Sequence, residues 1–278
     1  MTDKVSILMA AYDSQDTIVR AVKSVINQSF SDWELIIIAD DSFDYRTFLR
    51  RANMEDKRII YTSTQYPQSG PSIARNYGAR SASGNFICTL DSDDYWLPNK
   101  LFTLVPIAKD KGISADNIIV INQFEEIICS IFPINGPMIN CNILDIVQLN
   151  TPIFPIFHRD IFGSGYNEDF QVAEDIVLNI ECLSRTKNTL HITNECLTCY
   201  VQHSNNICNK AESFESSDKA YDLLISLVKS KKFGLNEDEI DPLLNALIRK
   251  KEINSLWSES IINDSSRSFQ EFIKNIDL

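Results

Sequence analysis

The residues most able to do chemistry are acidic, and they arrive in short clusters, each directly behind an apolar run. Asp91, Ser92, Asp93 and Asp94 follow NFICTL, Asp40 and Asp41 follow WELIIIA, and Tyr12 and Asp13 follow VSILMAA. Carboxylates so spaced supply hard oxygen donors for a divalent cation, which can in turn bridge to ligand phosphates. Each cluster also has a plainer reading. DSDD can be a solvated turn that caps the next helix, and Asp40 can be a turn-forming residue. Glu174 and Asp175 open a helical pattern, where acids are favourable because they face the positive end of the helix dipole.

Several familiar phosphate and metal devices are missing. AAYDSQDT, after the first apolar run, contains no glycine, so a dinucleotide fingerprint fails there, and no glycine in the chain precedes a lysine, so a P-loop fails too. A calcium loop beginning at Asp91 would need glycine at its sixth position and a carboxylate at its twelfth, which hold Trp96 and Phe102. Cys196, Cys199, His203 and Cys208 have a C-x2-C-x3-H-x4-C spacing that could bind zinc. On a strand, however, the first two cysteines would face opposite sides.

The elements that must position these residues follow from hydrophobic period. Strand-like runs at VSILMAAY, WELIIIA, Arg58 to Thr62, Asn85 to Leu90 and Ile118 to Gln123 alternate with helical patterns. The helices are expected from about Asp16 to Gln28, Ser72 to Ala82 and Pro98 to Lys111. Near-continuous apolar strands separated by helices predict a parallel sheet covered on both faces, with ligands beyond the carboxyl ends of the strands. From Glu125 to about Phe157, prolines at 133, 137, 152 and 155 break the pattern, predicting irregular or edge structure. A helix is expected at AEDIVLNIECLSR, a strand at ECLTCYVQH, and helices from about Ser213 onward.

With 278 residues, 44% hydrophobic and 23% charged, the chain can bury a substantial core. A net charge of -12 with no long basic run disfavours nucleic acid and anionic lipid as electrostatic partners. Seven cysteines in a chain with its own core predict free thiols in a reducing compartment. No secretory signal and no transmembrane segment is read, so a cytoplasmic location is expected, with a peripheral place at a membrane also open.

VSILMAAYDSQDTI, SDWELIIIADDSFD, GPSIARNYGARSASGNFICTLDSDDYWLPNKL and GYNEDFQVAEDIVL resemble, in order, successive motifs of glycosyltransferase family 2. The resemblance covers roughly the first two thirds of the chain. It implies an α/β fold of GT-A type, a Rossmann-like mostly parallel sheet with helices on both faces, carrying a C-terminal helical appendage. Residues 1–210 would form the catalytic domain, with 1–124 the nucleotide-binding half and 125–210 the acceptor half, and 211–278 the helical subdomain.

The resemblance also implies an inverting, metal-assisted transfer from a nucleotide diphosphate sugar, most commonly a UDP-sugar. Ala10, Tyr12, Asp40, Asp41, Arg75, Asp91 and Ser92 would contact the donor, with Tyr12 on the base and Asp40 accepting from its ring N–H. Asp93, with Asp91 and His203, would hold Mn or Mg, His203 lying near the donor phosphates. Asp175 would be the general base, with Glu174 second. Three departures bear on this assignment: Ala39 replaces an aspartate of the family's V-D-D-G-S turn, Asp41 its glycine, and Val201 the arginine of Y-R-x-H. The acceptor, whether glycan, lipid-linked or protein, stays open, as does self-association through the C-terminal helices. A catalytically silent sugar-nucleotide-binding or scaffold protein is the alternative, and a zinc-dependent nucleic-acid binder conflicts with the acidic charge.

Overall fold

The computed structural model describes residues 3–134, 136–186, 189–203, 206, 209, 213–263 and 268–275, without the side chains of 262 and 263. In the first third, strands and helices alternate: β1 (Val5–Ala11), α1 (Ile18–Ile26), β2 (Trp33–Ala39), α2 (Tyr45–Arg51), β3 (Ile59–Ser63), α3 (Pro71–Ser81) and β4 (Phe86–Thr89). Next come β5 (Tyr95–Trp96), α4 (Lys100–Lys111), β6 (Ile113–Asn122), β7 (Ile127–Ser130), β8 (Ile139–Cys141), α5 (Ile143–Gln148), β9 (Ile156–His158) and α6 (Arg159–Phe162). The chain continues through α7 (Glu174–Leu183), β10 (Leu190–Gln202), α8 (Ser213–Lys229), α9 (Glu237–Asn263) and α10 (Phe269–Lys274).

One sheet runs in the order β3-β2-β1-β4-β9-β6-β10-β5, with β7 beside β6 and β8 beside β10. β3, β2, β1 and β4 are mutually parallel, and β6 and β10 run in the same direction. The short strands β5, β7, β8 and β9 run against them. This is a mixed α/β fold with a sheet of mostly parallel strands. Both sheet faces are covered: Leu8, Ile36, Ile38 and Ile87 enter one apolar cluster, and Ile7, Met9, Leu35, Ile37 and Cys88 the other. Strands buried on both sides are apolar at most positions, hence the near-continuous runs in the sequence, while the buried Ser6 and Glu34 of β1 and β2 bond each other.

α3 lies close on β2 because Gly78 permits it: a Cβ there would fall 2.6 Å from Ile38 Cδ1. The second half differs from expectation in several places. α5 is a helix within the stretch expected to be irregular, and β10 begins at Leu190 rather than Glu195. β6 begins earlier than expected and buries Ser114, Asp116 and Asn117, because polar partners are supplied within the fold. The fully buried Lys100 ammonium bonds Asp116 and, at 2.6 Å, Thr198 Oγ1, tying α4 to β6 and β10. β9, in the proline-broken stretch, is no edge strand. It sits between β4 and β6 and pairs with both, joining the two halves of the sheet.

The C-terminal helices share the core of the sheet. Ala220, Leu224 and Val228 of α8 and Leu243 and Leu247 of α9 belong to the same cluster as Ile146 and Val147 of α5 and Val177 and Leu178 of α7. Among the described residues no helix is long and apolar enough to cross a membrane.

Candidate active site

The carboxyl ends of β1, β2 and β4 open into a cavity of about 1110 Å³ whose far wall is formed by the start of α7, the segment 149–154 and the C-terminal helices. Three of the non-glycine residues with left-handed backbone, Asp13 (φ 50), Gln68 (φ 61) and Ala173 (φ 59), line it. Such strain is retained where the surrounding structure fixes a functional geometry.

At the end of β1, Ala10 lines the cavity and Tyr12 is half exposed, its hydroxyl accepting from Gln68 Nε2 at 2.6 Å. Asp40, at the end of β2, is buried and held by the loop that leads to α3. Thr64 Oγ1 (2.8 Å), the Ser69 N–H (3.0 Å) and the Gly70 N–H (2.8 Å) all donate to its carboxylate. A carboxylate offers about four lone-pair positions, so one is left unfilled on a residue that lines the cavity. Gly70 has φ 92, a backbone that admits this turn at no Cβ cost. Asp41 does not line the cavity. Its oxygens accept from the Asp13 N–H (2.9 Å), the Phe43 N–H (3.1 Å) and the Tyr45 hydroxyl (2.9 Å), so it staples the ends of β1 and β2 together.

Behind β4, Asp91, Asp93 and Asp94 each offer a carboxylate oxygen, all within 4.8 Å of one another. All three donors are hard oxygens, Asp91 and Asp93 lining the cavity and Asp94 buried behind them, a set that fits Mg or Mn. Burial, together with the Asp93 and Asp91 charges, pushes the Asp94 carboxyl well above its usual range, while the Val201 N–H donates to it at 2.8 Å. Asp94 stood out in sequence as the end of the DSDD run but was given no ligand role by the family resemblance. His203 stands behind the cluster: its Nε2 lies 3.0 Å from Asp93 Oδ2, which also accepts from Asn206 Nδ2 at 3.1 Å. Arg20 bonds the Asp93 carbonyl at 2.7 Å, fixing the turn from α1. Ser92 lines the cavity and shares a 2.7 Å bond with Ser14. The cysteines at 196 and 199 carry free thiols, and Cys208, the fourth member of the zinc spacing, lies outside the described residues.

Arg75 does more than line the cavity. Its buried guanidinium donates to Asp91 Oδ1 at 2.6 Å and to Glu174 Oε1 at 2.7 Å, and it lies 5.2 Å from the Tyr166 ring centroid. It therefore joins the acidic turn after β4 to the start of α7. Burial opposes its charge, but Asp91 and Glu174 outweigh that and keep it firmly cationic. The same helix positions the segment ahead of α7: Asn76 Nδ2 donates to the Tyr166 carbonyl and Asn76 Oδ1 accepts the Tyr166 N–H, both at 2.8 Å, and Ser72 Oγ donates to the Phe170 carbonyl at 2.7 Å. The SIARN and GYNEDF motifs are thus two halves of one interface.

Asp175 lines the cavity beside Glu174. Burial first, and then the adjacent Glu174 charge, push its carboxyl up to about 7, against the Ile176 N–H and Arg75. A carboxylate poised near neutrality can accept a proton from an alcohol more readily than an ordinary aspartate. The same wall holds Tyr221 of α8, Lys250 of α9 and Gln270 of α10, which sequence reasoning missed. One signal was available for Lys250: it interrupts the apolar stripe Leu243, Leu247, Lys250, Asn254, Trp257, at four-three spacing along α9.

The fold and the site together define an α/β chain with an acidic, strained cleft at its strand ends. Residues 6–163 match the sequence model of Glycosyl transferase family 2. An Escherichia coli protein named UDP-Glc:alpha-D-GlcNAc-diphosphoundecaprenol beta-1,3-glucosyltransferase WfgD is 34% identical over 56% of this chain and 66% of its own. A Campylobacter jejuni GalNAc(5)-diNAcBac-PP-undecaprenol beta-1,3-glucosyltransferase is 34% identical over 38% of this chain and 35% of its own. The matched stretch therefore spans less than two thirds of either relative. Among solved structures, S. aureus TarS 1-349 in complex with UDP-GlcNAc superposes with a TM-score of 0.68 at 16% identity, covering 88% of this chain and 71% of that one. A Pyrobaculum calidifontis mannosyltransferase in complex with GDP-Man and Mn2+ gives a TM-score of 0.62 at 14% identity, covering 97% of this chain and 78% of that one. The chain belongs to glycosyltransferase family 2, and the likeness to these structures shows the GT-A fold.

Proposed function

We propose that the protein transfers a sugar, glucose in the first instance, from a UDP-sugar to a hydroxyl of a saccharide carried on a lipid diphosphate, with inversion at the anomeric carbon. The observation that carries the reading is that one cavity has the acidic cluster and Asp40 on one wall and Asp175, poised near neutrality, on another. The names of the relatives support the donor and the lipid-linked acceptor.

In this mechanism Tyr12 stacks on the base and the open position on Asp40 accepts its ring N–H. Asp91, Asp93 and Asp94 would hold Mn or Mg, with His203 and Asn206 orienting Asp93. Bound there, the cation neutralises the donor diphosphate and offsets the charge that develops on it. Asp175 removes the acceptor hydroxyl proton as that oxygen bonds to the anomeric carbon, and the bond from that carbon to the diphosphate oxygen breaks on the opposite face. The electron pair leaves with UDP, and the proton stays on Asp175. Glu174, tied to Arg75, holds the start of α7 and supplies the negative neighbour that raises the proton affinity of Asp175.

The test is incubation of the full chain with UDP-glucose, MnCl2 and N-acetylglucosamine on a lipid diphosphate, with the product read by mass spectrometry and its anomeric configuration by NMR. A β-linked glucoside and free UDP are expected. Binding of UDP with no transfer to any lipid-linked saccharide would instead favour a silent nucleotide-sugar-binding protein.

A further inference from the structure

Lys250 occupies a core position on α9. Leu243, Leu247, Ile253 and Trp257 are buried around it, and it is itself only 7% exposed. A buried ammonium facing neutral partners is costly to desolvate, and a leucine in the stripe would avoid that cost. Burial lowers its pKa to about 8, with the Asp175 charge acting the other way. What the ammonium holds is the chain after α5: it donates to the Leu149 carbonyl at 2.5 Å and to Asn150 Oδ1 at 3.4 Å. A second hold comes from α10, where Gln270 Nε2 donates to the Asn150 carbonyl at 2.7 Å and Gln270 Oε1 accepts from Thr151 Oγ1 at 3.1 Å. Two helices of the C-terminal region therefore grip three consecutive residues of a segment that forms the cavity wall shared with Asp175.

We infer that Lys250 and Gln270 are positioning residues for the acceptor: they latch the segment 149–154 in the cavity that holds Asp175, so that the attacking hydroxyl is presented to the base. The inference rests on the transferase reading above and adds that the C-terminal helices are a working part of the acceptor site. Neither residue touches Tyr12, Asp40 or the acidic cluster, so the latch acts on the acceptor and leaves the donor alone.

The test uses Lys250→Met and Gln270→Leu in the full chain, with three readouts: amide exchange over residues 149–154, UDP affinity, and transfer kinetics with UDP-glucose and N-acetylglucosamine on a lipid diphosphate. Loss of exchange protection in that segment is expected, with acceptor kcat/KM down by about tenfold or more, since small misplacements of a reacting group are costly. UDP affinity and donor KM should stay within twofold. Unchanged protection in both variants overturns the inference, and so does a loosened segment with unmoved acceptor kinetics. If the lysine variant fails to fold, the Gln270→Leu result decides. A wild-type protein inert toward acceptors overturns the transferase reading and this one together, whereas an active wild type with indifferent variants overturns this one alone.

Discussion

Replacing Arg75 with methionine should cost folding stability in a way that depends on pH. The substitution keeps an unbranched side chain in the helix but strips Asp91 and Glu174 of the cation that each contacts within 2.7 Å. Removing one partner of a buried pair typically costs ~3–5 kcal/mol, because the remaining charge stays buried. Here the carboxylates keep 27% and 13% exposure and cavity water can reach them, so we expect about 2–4 kcal/mol at neutral pH. Burial already pushes the Asp91 carboxyl up, and Arg75 is the main opposing influence. Without Arg75 it rises further above its unfolded value, so the variant is penalised most where Asp91 must be ionised. The penalty then shrinks as pH falls through the raised pKa. Urea denaturation of both proteins at pH 7.5 and pH 5, without divalent cations, measures this. A stability difference below ~0.5 kcal/mol at pH 7.5, the scale of an exposed ion pair, would refute the reasoning. So would a gap that widens toward pH 5.

Two further predictions concern carboxylates elsewhere. Glu34 is buried, and although burial raises its carboxyl, hydrogen bonds from Lys4, the Ser83 N–H and Ser6 bring it down from 4.5 to about 2. A depressed acid stabilises the fold above its unfolded pKa and loses that contribution as pH falls toward 2. Glu34→Gln should therefore lose about 2–3 kcal/mol at pH 7 and behave like the wild type near pH 2, as thermal unfolding across that range would show. Asp93→Asn should weaken UDP binding in MnCl2 by about tenfold or more, since one anionic ligand to the cation is gone, and EDTA should do the same to the wild type. Calorimetry showing equal UDP affinity in all three conditions would remove the metal from the account.

The first half of the fold was legible in sequence because its strands are buried on both faces and so are apolar at nearly every position. In WELIIIA only Glu34 breaks the run, and it is held by Lys4, Ser6 and Ser83. The acidic residues stood out for the complementary reason, since each cluster follows one of those runs. β6 was read short because its buried polar residues are satisfied by partners far along the chain, such as Lys100 for Asp116 and Asn194 for Asn117. β9 was hidden because three residues directly after Pro155 are too few to show a period, and the sheet alone determines their place. Asp41 entered as a donor contact because it stands at the glycine of the family's turn, and here its oxygens are taken up by the Tyr45 hydroxyl and the Asp13 and Phe43 N–H groups, partners that the sequence alone does not bring together. Arg75 could be assigned to the nucleotide by motif, while its bridge from Asp91 to Glu174 requires bringing together residues 99 positions apart. The contribution of α9 and α10 to the cavity was announced only by a lysine in an apolar stripe.

The assignment of Asp175 tests the central claim most directly, because a general base must reach the acceptor hydroxyl yet need not touch the donor. The measurement compares wild type and Asp175→Asn for UDP affinity by calorimetry and for transfer from UDP-glucose to N-acetylglucosamine on a lipid diphosphate across pH 5 to 9. Asparagine keeps the size and removes the proton acceptor. UDP affinity should stay within twofold, while the transfer rate should fall by about a hundredfold or more. The wild-type rate should climb as pH rises through about 7, where burial places the Asp175 carboxyl, and the residual rate of the variant should lack that rise. Transfer by Asp175→Asn within about threefold of wild type, with the same pH profile, would contradict the account.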